Sequence, residues 1–115
     1  MTKLNFTKHH AAQDMIKLIE KDKGLSATEA IKFSINSEMY KQIIESGWTG
    51  IALDLWGHDN PEREWEVMET SCVEIDLDEE KLKLVNDIMK KEKKDIETAV
   101  AYFLIFTMDS LGYHI

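Results

Sequence analysis

Hydrophobic residues recur at a helical interval near the start of the chain. They occupy positions i, i+3, i+4 and i+7 of one helix face: Ala12, Met15, Ile16 and Ile19. Thr7 offers a hydroxyl for the N-cap, and Gly24 offers a left-handed residue after a lysine-rich last turn. The pattern predicts a first helix between Thr7 and Gly24.

Two shorter helices are predicted next. The stretch Ser26–Glu29 has the S-x-x-E form of a capping box, and apolar residues follow it on one face at Ala30, Ile31 and Ile35. The stretch Ser37–Ile44 repeats the design with a second Ser-Glu start, and Gly47 can close that helix. The N-terminal third is therefore predicted to be helical.

The middle of the chain changes to a two-residue period. Alternation over 50–56 predicts a strand, and the Gly-His-Asp-Asn-Pro stretch at 57–61 predicts a turn. Apolar residues then share odd parity, so one or two strands within 64–77 are expected to pair back on 50–56 as a hairpin. A short helix over 61–69, with Asn60 as its N-cap, is an alternative.

The helical period returns after Leu77. Asp78 is the predicted N-cap of one helix, and its apolar stripe is Leu82, Val85, Ile88 and Met89. Asp95 is the predicted N-cap of a last helix over 96–111, which is apolar nearly all round and so belongs at the centre of the domain or between subunits. No repeat of fixed period is evident. The expectation is one α+β domain over 1–115, with helices over 7–47, a strand region over 50–77 and a two-helix unit over 78–112.

Composition agrees with a single intracellular domain. The chain has 115 residues, of which 43% are hydrophobic and 31% charged. Its single cysteine, Cys72, excludes an intramolecular disulfide framework. The N-terminus lacks the apolar run of a signal peptide, and the longest apolar run, 99–106, is too short to cross a bilayer. We expect a cytoplasmic protein without a membrane segment.

Charge is concentrated in the middle of the chain. The net charge is −8, and residues 37–80 carry thirteen acids against Lys41 and Arg63. Nine of those acids lie within 62–80. Such a segment repels phosphate and attracts basic surfaces. It is either a solvated face that keeps the protein soluble or a docking surface for a basic protein.

The order strand, capped helix, charged loop, capped helix over 72–111 resembles the ribbon-helix-helix proteins, a family of small bacterial repressors and antitoxins. The residues that carry the resemblance are the alternating strand 73–77, the Asp-Glu-Glu-x-Leu start at 78–82, the loop 90–94 and the Asp-led start at 95–97. The resemblance implies that two chains pair their strands and intertwine their helices, giving a homodimer through 96–111.

The same resemblance implies that the outward strand residues enter the DNA major groove. Here those residues are Cys72, Glu74 and Asp76. Carboxylates accept only from the cytosine amino group and lie badly against a polyanion. The strand thus departs from the family at the positions that bind DNA, and DNA is not the expected partner.

A second likeness covers 13–50. The Leu-Ser-x-x-Glu-Ala start at 25–30, then Ser37–Tyr40 and Gly47, are similar to small uncharacterised bacterial proteins encoded beside toxins. These residues are mostly caps and core, which any helix pair needs.

Catalytic and metal-binding patterns are incomplete. His9 and His10 with Asp14 lack a third ligand type, and His58-Asp59 lacks the widely spaced partners of metal phosphohydrolases. Cys72 has no base beside it in sequence, and the acid pair Glu64 and Glu66 is a charged face. We predict no enzyme activity, no metal site and no cofactor; a deep pocket lined by His58 and carboxylates would reopen the enzyme hypothesis.

The favoured hypothesis is a bacterial or phage neutraliser, such as an antitoxin, that covers a basic protein such as a nuclease. Aromatic residues rimmed by carboxylates are typical of binding hot spots for basic partners. The predicted partner-binding residues are Trp56, Glu62, Glu64, Trp65, Glu66, Glu74 and Asp76. The alternative is a ribbon-helix-helix regulator that binds DNA through Lys81, Lys83 and the lysines of 90–94.

Overall fold

The computed structural model describes residues 1–7, 9–46 and 72–112. These residues form a two-stranded antiparallel sheet and five helices, which confirms a mixed α+β class. The elements, in chain order, are β1 (Thr2–Asn5), α1 (His10–Lys23), α2 (Ala27–Ser34), α3 (Ser37–Ser46), β2 (Cys72–Ile75), α4 (Glu79–Glu92) and α5 (Ile96–Ser110). The predicted strand 50–56, the turn 57–61, the alternative helix 61–69 and the closing Gly47 all lie outside the described residues.

The N-terminus differs from its prediction. Thr7 is not the cap of the first helix, because α1 begins at His10 after a short strand that the pattern did not predict. The turn between β1 and α1 is held by the buried Gln13, whose Nε2 donates to the carbonyl oxygens of Phe6 at 2.6 Å and Thr7 at 3.3 Å. A strand of four residues holds too few apolar positions to reveal its period.

The predicted caps of α2, α4 and α5 are confirmed, whereas α3 begins at the side chain of Asn36 rather than at a Ser37-Glu38 cap. Ser26 and Glu29 form a reciprocal capping box at the start of α2. The carboxylates of Asp78 and Asp95 accept from the backbone N–H groups of Lys81 and Thr98. These side chains satisfy donors that the first turn of each helix would otherwise leave without partners.

The strand predicted near the end of 64–77 is confirmed as β2. Within the described residues its partner is β1, in the register Thr2–Ile75, Lys3–Glu74, Leu4–Val73 and Asn5–Cys72. The predicted partner, 50–56, lies outside those residues. Since Leu4 and Val73 are buried while their neighbours along the strands are more exposed, the ribbon has one inner and one outer face.

The last helix lies at the centre of the domain. This is one of the two positions that the sequence predicted for it, the other being an interface between subunits. Every residue from Ala99 to Met108 is buried in α5. The helix packs against α1, α2, α3, α4 and β1. The burial of all its faces within one chain explains why α5 is apolar all round.

Two segments of the described chain share a spacing that the sequence pattern did not reveal. Helices α1 and α4 both have 14 residues, and the residues that end them, Gly24 and Lys93, both have left-handed backbone and lie 69 positions apart. The N-caps Ser26 and Asp95 have the same separation. At that offset, buried apolar residues coincide as Leu4 with Val73, Phe6 with Ile75, Ile16 with Val85, Ile19 with Ile88, Ala30 with Ala99 and Ile31 with Val100. The caps of the second helices and many buried apolar positions recur, while the caps of the first helices differ: His9 makes no side-chain cap hydrogen bond and Asp78 does.

Candidate binding surface

The outer face of the β1–β2 ribbon is polar and exposed. Its side chains are Lys3 and Asn5 from β1 and Cys72 and Glu74 from β2, and all four residues are exposed. Lys3 lies opposite Glu74, so the ribbon itself has one charge of each sign. This balance differs from the cationic surface that binding to nucleic acid needs.

The N-terminal end of α5 adds two acids beside this ribbon. The backbone N–H of Asn5 donates to Glu97 Oε1 at 3.1 Å, which places the first turn of α5 against the end of β1. Asp95, the exposed N-cap, lies two residues before Glu97. Hydrogen bonds from Thr98, and then the positive charges of His9 and Lys94, hold the pKa of Asp95 below its usual value. Asp95 therefore stays ionised at neutral pH.

Asp76 supplies a further exposed carboxylate at the opposite end of the ribbon, directly after β2. We call Glu74, Asp76, Asp95 and Glu97 the acidic ribbon face. Lys3 on the ribbon, and His9 and Lys94 beside Asp95, place positive charge next to these four negative side chains. The acidic ribbon face can attract a cationic surface but offers little to a phosphate backbone.

The chain has two strand–helix–helix segments, 2–34 and 72–110, and the acidic ribbon face comes entirely from the second. At the 69-residue offset, the first segment has neutral polar residues at the four equivalent positions: Asn5, Thr7, Ser26 and Thr28. A charge is thus not needed at the N-cap of the second helix, since a neutral residue does the same local work in the first segment. Ser26, for example, caps α2 without a charge.

Two of the predicted binding residues, Glu74 and Asp76, lie on this face. The other five, Trp56, Glu62, Glu64, Trp65 and Glu66, lie outside the described residues. Sequence reasoning missed Asp95 and Glu97, which were identified only as a helix start. Their position at the ribbon depends on the pairing of β1 with β2, and β1 was not predicted.

The lysines proposed for DNA binding are partly engaged within the protein. Lys81 Nζ donates to the carbonyl oxygen of Lys32 at 3.0 Å and to that of Ile35. It therefore closes the C-terminal end of α2. Lys91 lies 4.0 Å from Asp87, to which the hydroxyl of Tyr40 also donates. These contacts join α4 to α2 and α3.

A groove of about 390 Å³ runs along the outer side of α4. Among the described residues it is lined by Glu79, Leu82, Lys83, Asn86, Asp87 and Lys90. All six belong to one helix, and opposite charges alternate along it. This lining lacks the convergent polar groups within an apolar pocket that are typical of a small-molecule site.

The remaining chemical candidates stay separate. In the described part of the chain, no group of three His, Cys, Asp or Glu side chains is placed to hold a metal ion. The ring of His9 packs edge-on to Phe6 with centroids 6.3 Å apart. Cys72 Sγ lies 3.9 Å from the hydroxyl of Thr7, which is not a general base at neutral pH. His58 lies outside the described residues.

None of the helices in the described ranges combines the length and apolar character of a membrane span. Comparisons of the chain with protein-family models, with curated proteins and with solved structures found no match.

Proposed function

We propose that the chain is a non-enzymatic binding protein that covers a basic protein partner, as an antitoxin or a comparable inhibitor of a nuclease-like effector does. The observation that carries the proposal is the acidic ribbon face. Glu74 lies on the outer side of the two-stranded ribbon, and Asp76 is exposed directly after β2. Asp95 and Glu97 lie at the start of α5, beside the end of β1. A basic partner would find complementary charge there.

The mechanism is occlusion. Carboxylates on the ribbon steer a cationic surface into contact, and the buried part of the interface then excludes the partner's own ligand, such as a nucleic acid. The acidic residues Glu62, Glu64 and Glu66 and the aromatic residues Trp56 and Trp65 extend the proposal along the chain before β2. Aromatic side chains would supply the buried apolar contact area that carboxylates alone do not.

The test compares two pairs of charge reversals. The chain is immobilised and incubated with lysate of the native host at about 50 mM and about 300 mM salt, since screening at the higher salt weakens exposed charge pairs. The double variant Glu74→Lys, Asp76→Lys should lose the basic protein that wild type retains at low salt. Retention should also fall at the higher salt. Bound proteins are identified by mass spectrometry.

The matched control is Glu38→Lys, Glu45→Lys, which makes the same change in net charge on exposed positions of α3. This variant should retain the partner as wild type does. If both double variants lost it equally, net charge rather than the ribbon face would explain binding. Retention that ignores both salt and the ribbon substitutions would contradict the proposal, provided circular dichroism shows that all three chains are folded.

A second candidate function is that of a ribbon-helix-helix regulator. The observation that favours it is the antiparallel ribbon, with two consecutive helices after each strand. A gel-shift assay with DNA from upstream of the chain's own gene separates the two functions. A specific shift that is lost in Lys3→Gln, on the outer ribbon face, would favour the regulator over the neutraliser.

A further inference from the structure

The two strand–helix–helix segments, 2–34 and 72–110, complete each other. Leu4 pairs with Val73, and the same two residues are equivalent at the 69-residue offset. A local two-fold axis therefore passes between them. We infer that the chain is a single-polypeptide counterpart of a homodimer: each segment uses the other segment of its own chain as the partner that a symmetric dimer would supply as a second copy.

The contacts between the segments are reciprocal. Helix α2 packs on β2, and helix α5 packs on β1, so each segment covers the other segment's strand. The helices α2 and α5 also pack on each other. Besides the β1–β2 ladder and the contact of Thr7 with Cys72, side-chain hydrogen bonds cross between the segments. Asn5 N–H donates to Glu97, and the ammonium group of Lys81 donates to carbonyl groups at the end of α2. The inner face of each segment is therefore buried against the other segment.

The inner surfaces are fully used within one chain. Leu4, Phe6 and Ile75 have no exposed area, and Val73 is 8% exposed. Among the described residues, the large apolar side chains that are exposed are Met1, Phe33 and Ile44. None of them belongs to α5 or to the inner face of the ribbon. A stable dimer buries about 800 Å² on each partner, and the surfaces that would form it symmetrically are already covered.

Joining the segments in one chain determines how many partners it can bind. This part of the inference rests on the proposed function. A homodimer presents every charge twice, because both copies have the same sequence. In this chain the acidic ribbon face has no acidic equivalents in the first segment. The single chain therefore presents one asymmetric surface. We expect it to bind one copy of a basic partner for each chain.

Cysteine pairing across the ribbon tests the arrangement directly. The sole cysteine, Cys72, lies opposite Asn5 on the exposed face. Opposite residues of an antiparallel pair have Cα atoms about 4.5–5.5 Å apart, within the range that a disulfide spans. In the full-length variant Asn5→Cys, oxidised glutathione should accept two electrons from the two thiols. The product should be an intramolecular disulfide and reduced glutathione.

The expected result is the loss of both titratable thiols while the chain keeps the size of a monomer on a non-reducing gel. The matched control is Lys3→Cys, on the same face but opposite Glu74. Its thiol is diagonal to Cys72, at a separation of about 7–8 Å that a disulfide does not span without distortion. This variant should keep its thiols under conditions in which Asn5→Cys loses them.

The amide oxygen of Asn5 accepts from the N–H of Thr7 at 3.0 Å, so Asn5→Cys also removes a turn contact. A second variant avoids that loss by placing the pair at Lys3→Cys and Glu74→Cys on a Cys72→Ser background. A covalent dimer in either variant, or a native mass of twice 13.3 kDa for the wild type, would overturn the inference. A folded chain whose paired thiols do not react would overturn the register.

The stoichiometry is measured separately, by native mass spectrometry of the partner complex recovered from the host. A complex with one chain and one partner supports the asymmetric surface. Two partners on one chain would contradict it even if the disulfide forms within the chain. A monomeric chain without any partner would instead count against the proposed function and leave the internal pairing intact.

Discussion

The segments 2–34 and 72–110 have the same order of elements but differ in the length of the second helix and in charge. Both contain a four-residue strand, a 14-residue helix, a left-handed residue and a capped second helix. The second helix stops at Ser34 in the first segment but continues to Ser110 in the second. The shared features are the element lengths, the cap of the second helix and many inner apolar positions. The remaining residues differ between the two segments.

The early end of α2 has identifiable causes. The side-chain oxygen of Asn36 accepts from the backbone N–H of Met39 at 2.9 Å and so starts α3. Lys81 closes the carbonyl end of α2 from outside the segment. In the second segment no such break occurs, and α5 continues through the core as one helix. The helices α1 and α2 of the first segment thus pack around α5, which is the central helix of the fold.

The largest expected effect comes from the core. Phe103, with no exposed area, is equivalent to Ser34, which is also fully buried but donates to the carbonyl oxygen of Ala30 at 2.9 Å. Phe103→Ala should lower the free energy of unfolding by about 3–5 kcal/mol, because it leaves a cavity at the centre. Ser34→Ala should cost about 1 kcal/mol or less. Urea denaturation measures both, and equal losses would contradict the assignment of α5 as the centre.

A smaller effect is expected where the segments are linked by charge. Lys81 is equivalent to the buried Ala12, and its ammonium group is the contact that closes α2. Lys81→Met keeps the aliphatic stem but removes the donor, so we expect a loss of about 1.5–3 kcal/mol in the free energy of unfolding, the range for hydrogen bonds to charged groups.

The control for this substitution is Lys83→Met, on an exposed position of the same helix. It removes the same charge and should change the free energy of unfolding by less than about 0.5 kcal/mol. If the two variants were equally stable, the contact of Lys81 with the end of α2 would have no energetic role.

Much of the fold could be predicted from the sequence because its signals are local. The capping residues Ser26, Asp78 and Asp95 and the all-round apolar α5 each identify themselves within a few positions. The pairing of β1 with β2 could not be predicted, since it joins residues about seventy positions apart and β1 has only four residues. Register between distant strands is set by packing that short alternation does not encode.

The residues of the acidic ribbon face were likewise predicted where the signal is local and missed where it depends on long-range packing. Acidity over 62–80 was evident from composition, and Glu74 and Asp76 were identified from it. That Asp95 and Glu97 lie beside the same ribbon depends on the path of the chain, because α5 packs on β1. The repeat was hidden for a related reason. It keeps the caps of the second helices and many inner apolar positions, whereas the outer positions differ between the segments.

The smallest expected effect concerns the caps, and it depends on pH. Asp95 and Ser26 are equivalent N-caps, but only Asp95 titrates. Its pKa lies below the usual value because Thr98 donates to the carboxylate and because His9 and Lys94 are positively charged nearby. The stabilisation from a lowered pKa is present above the unfolded value of about 3.9 and is lost as pH falls through the folded value.

Asp95→Asn keeps a good N-cap and removes the titration, so at pH 7 it should change the free energy of unfolding by less than about 1 kcal/mol. Between about pH 5 and pH 2, wild type should lose more stability than this variant, because only wild type must protonate the cap. Ser26→Ala should instead cost roughly 1 kcal/mol at every pH. Urea denaturation at low salt across this range measures all three chains. Parallel pH profiles for wild type and Asp95→Asn would show that the charge of this cap adds nothing to the stability of the folded chain.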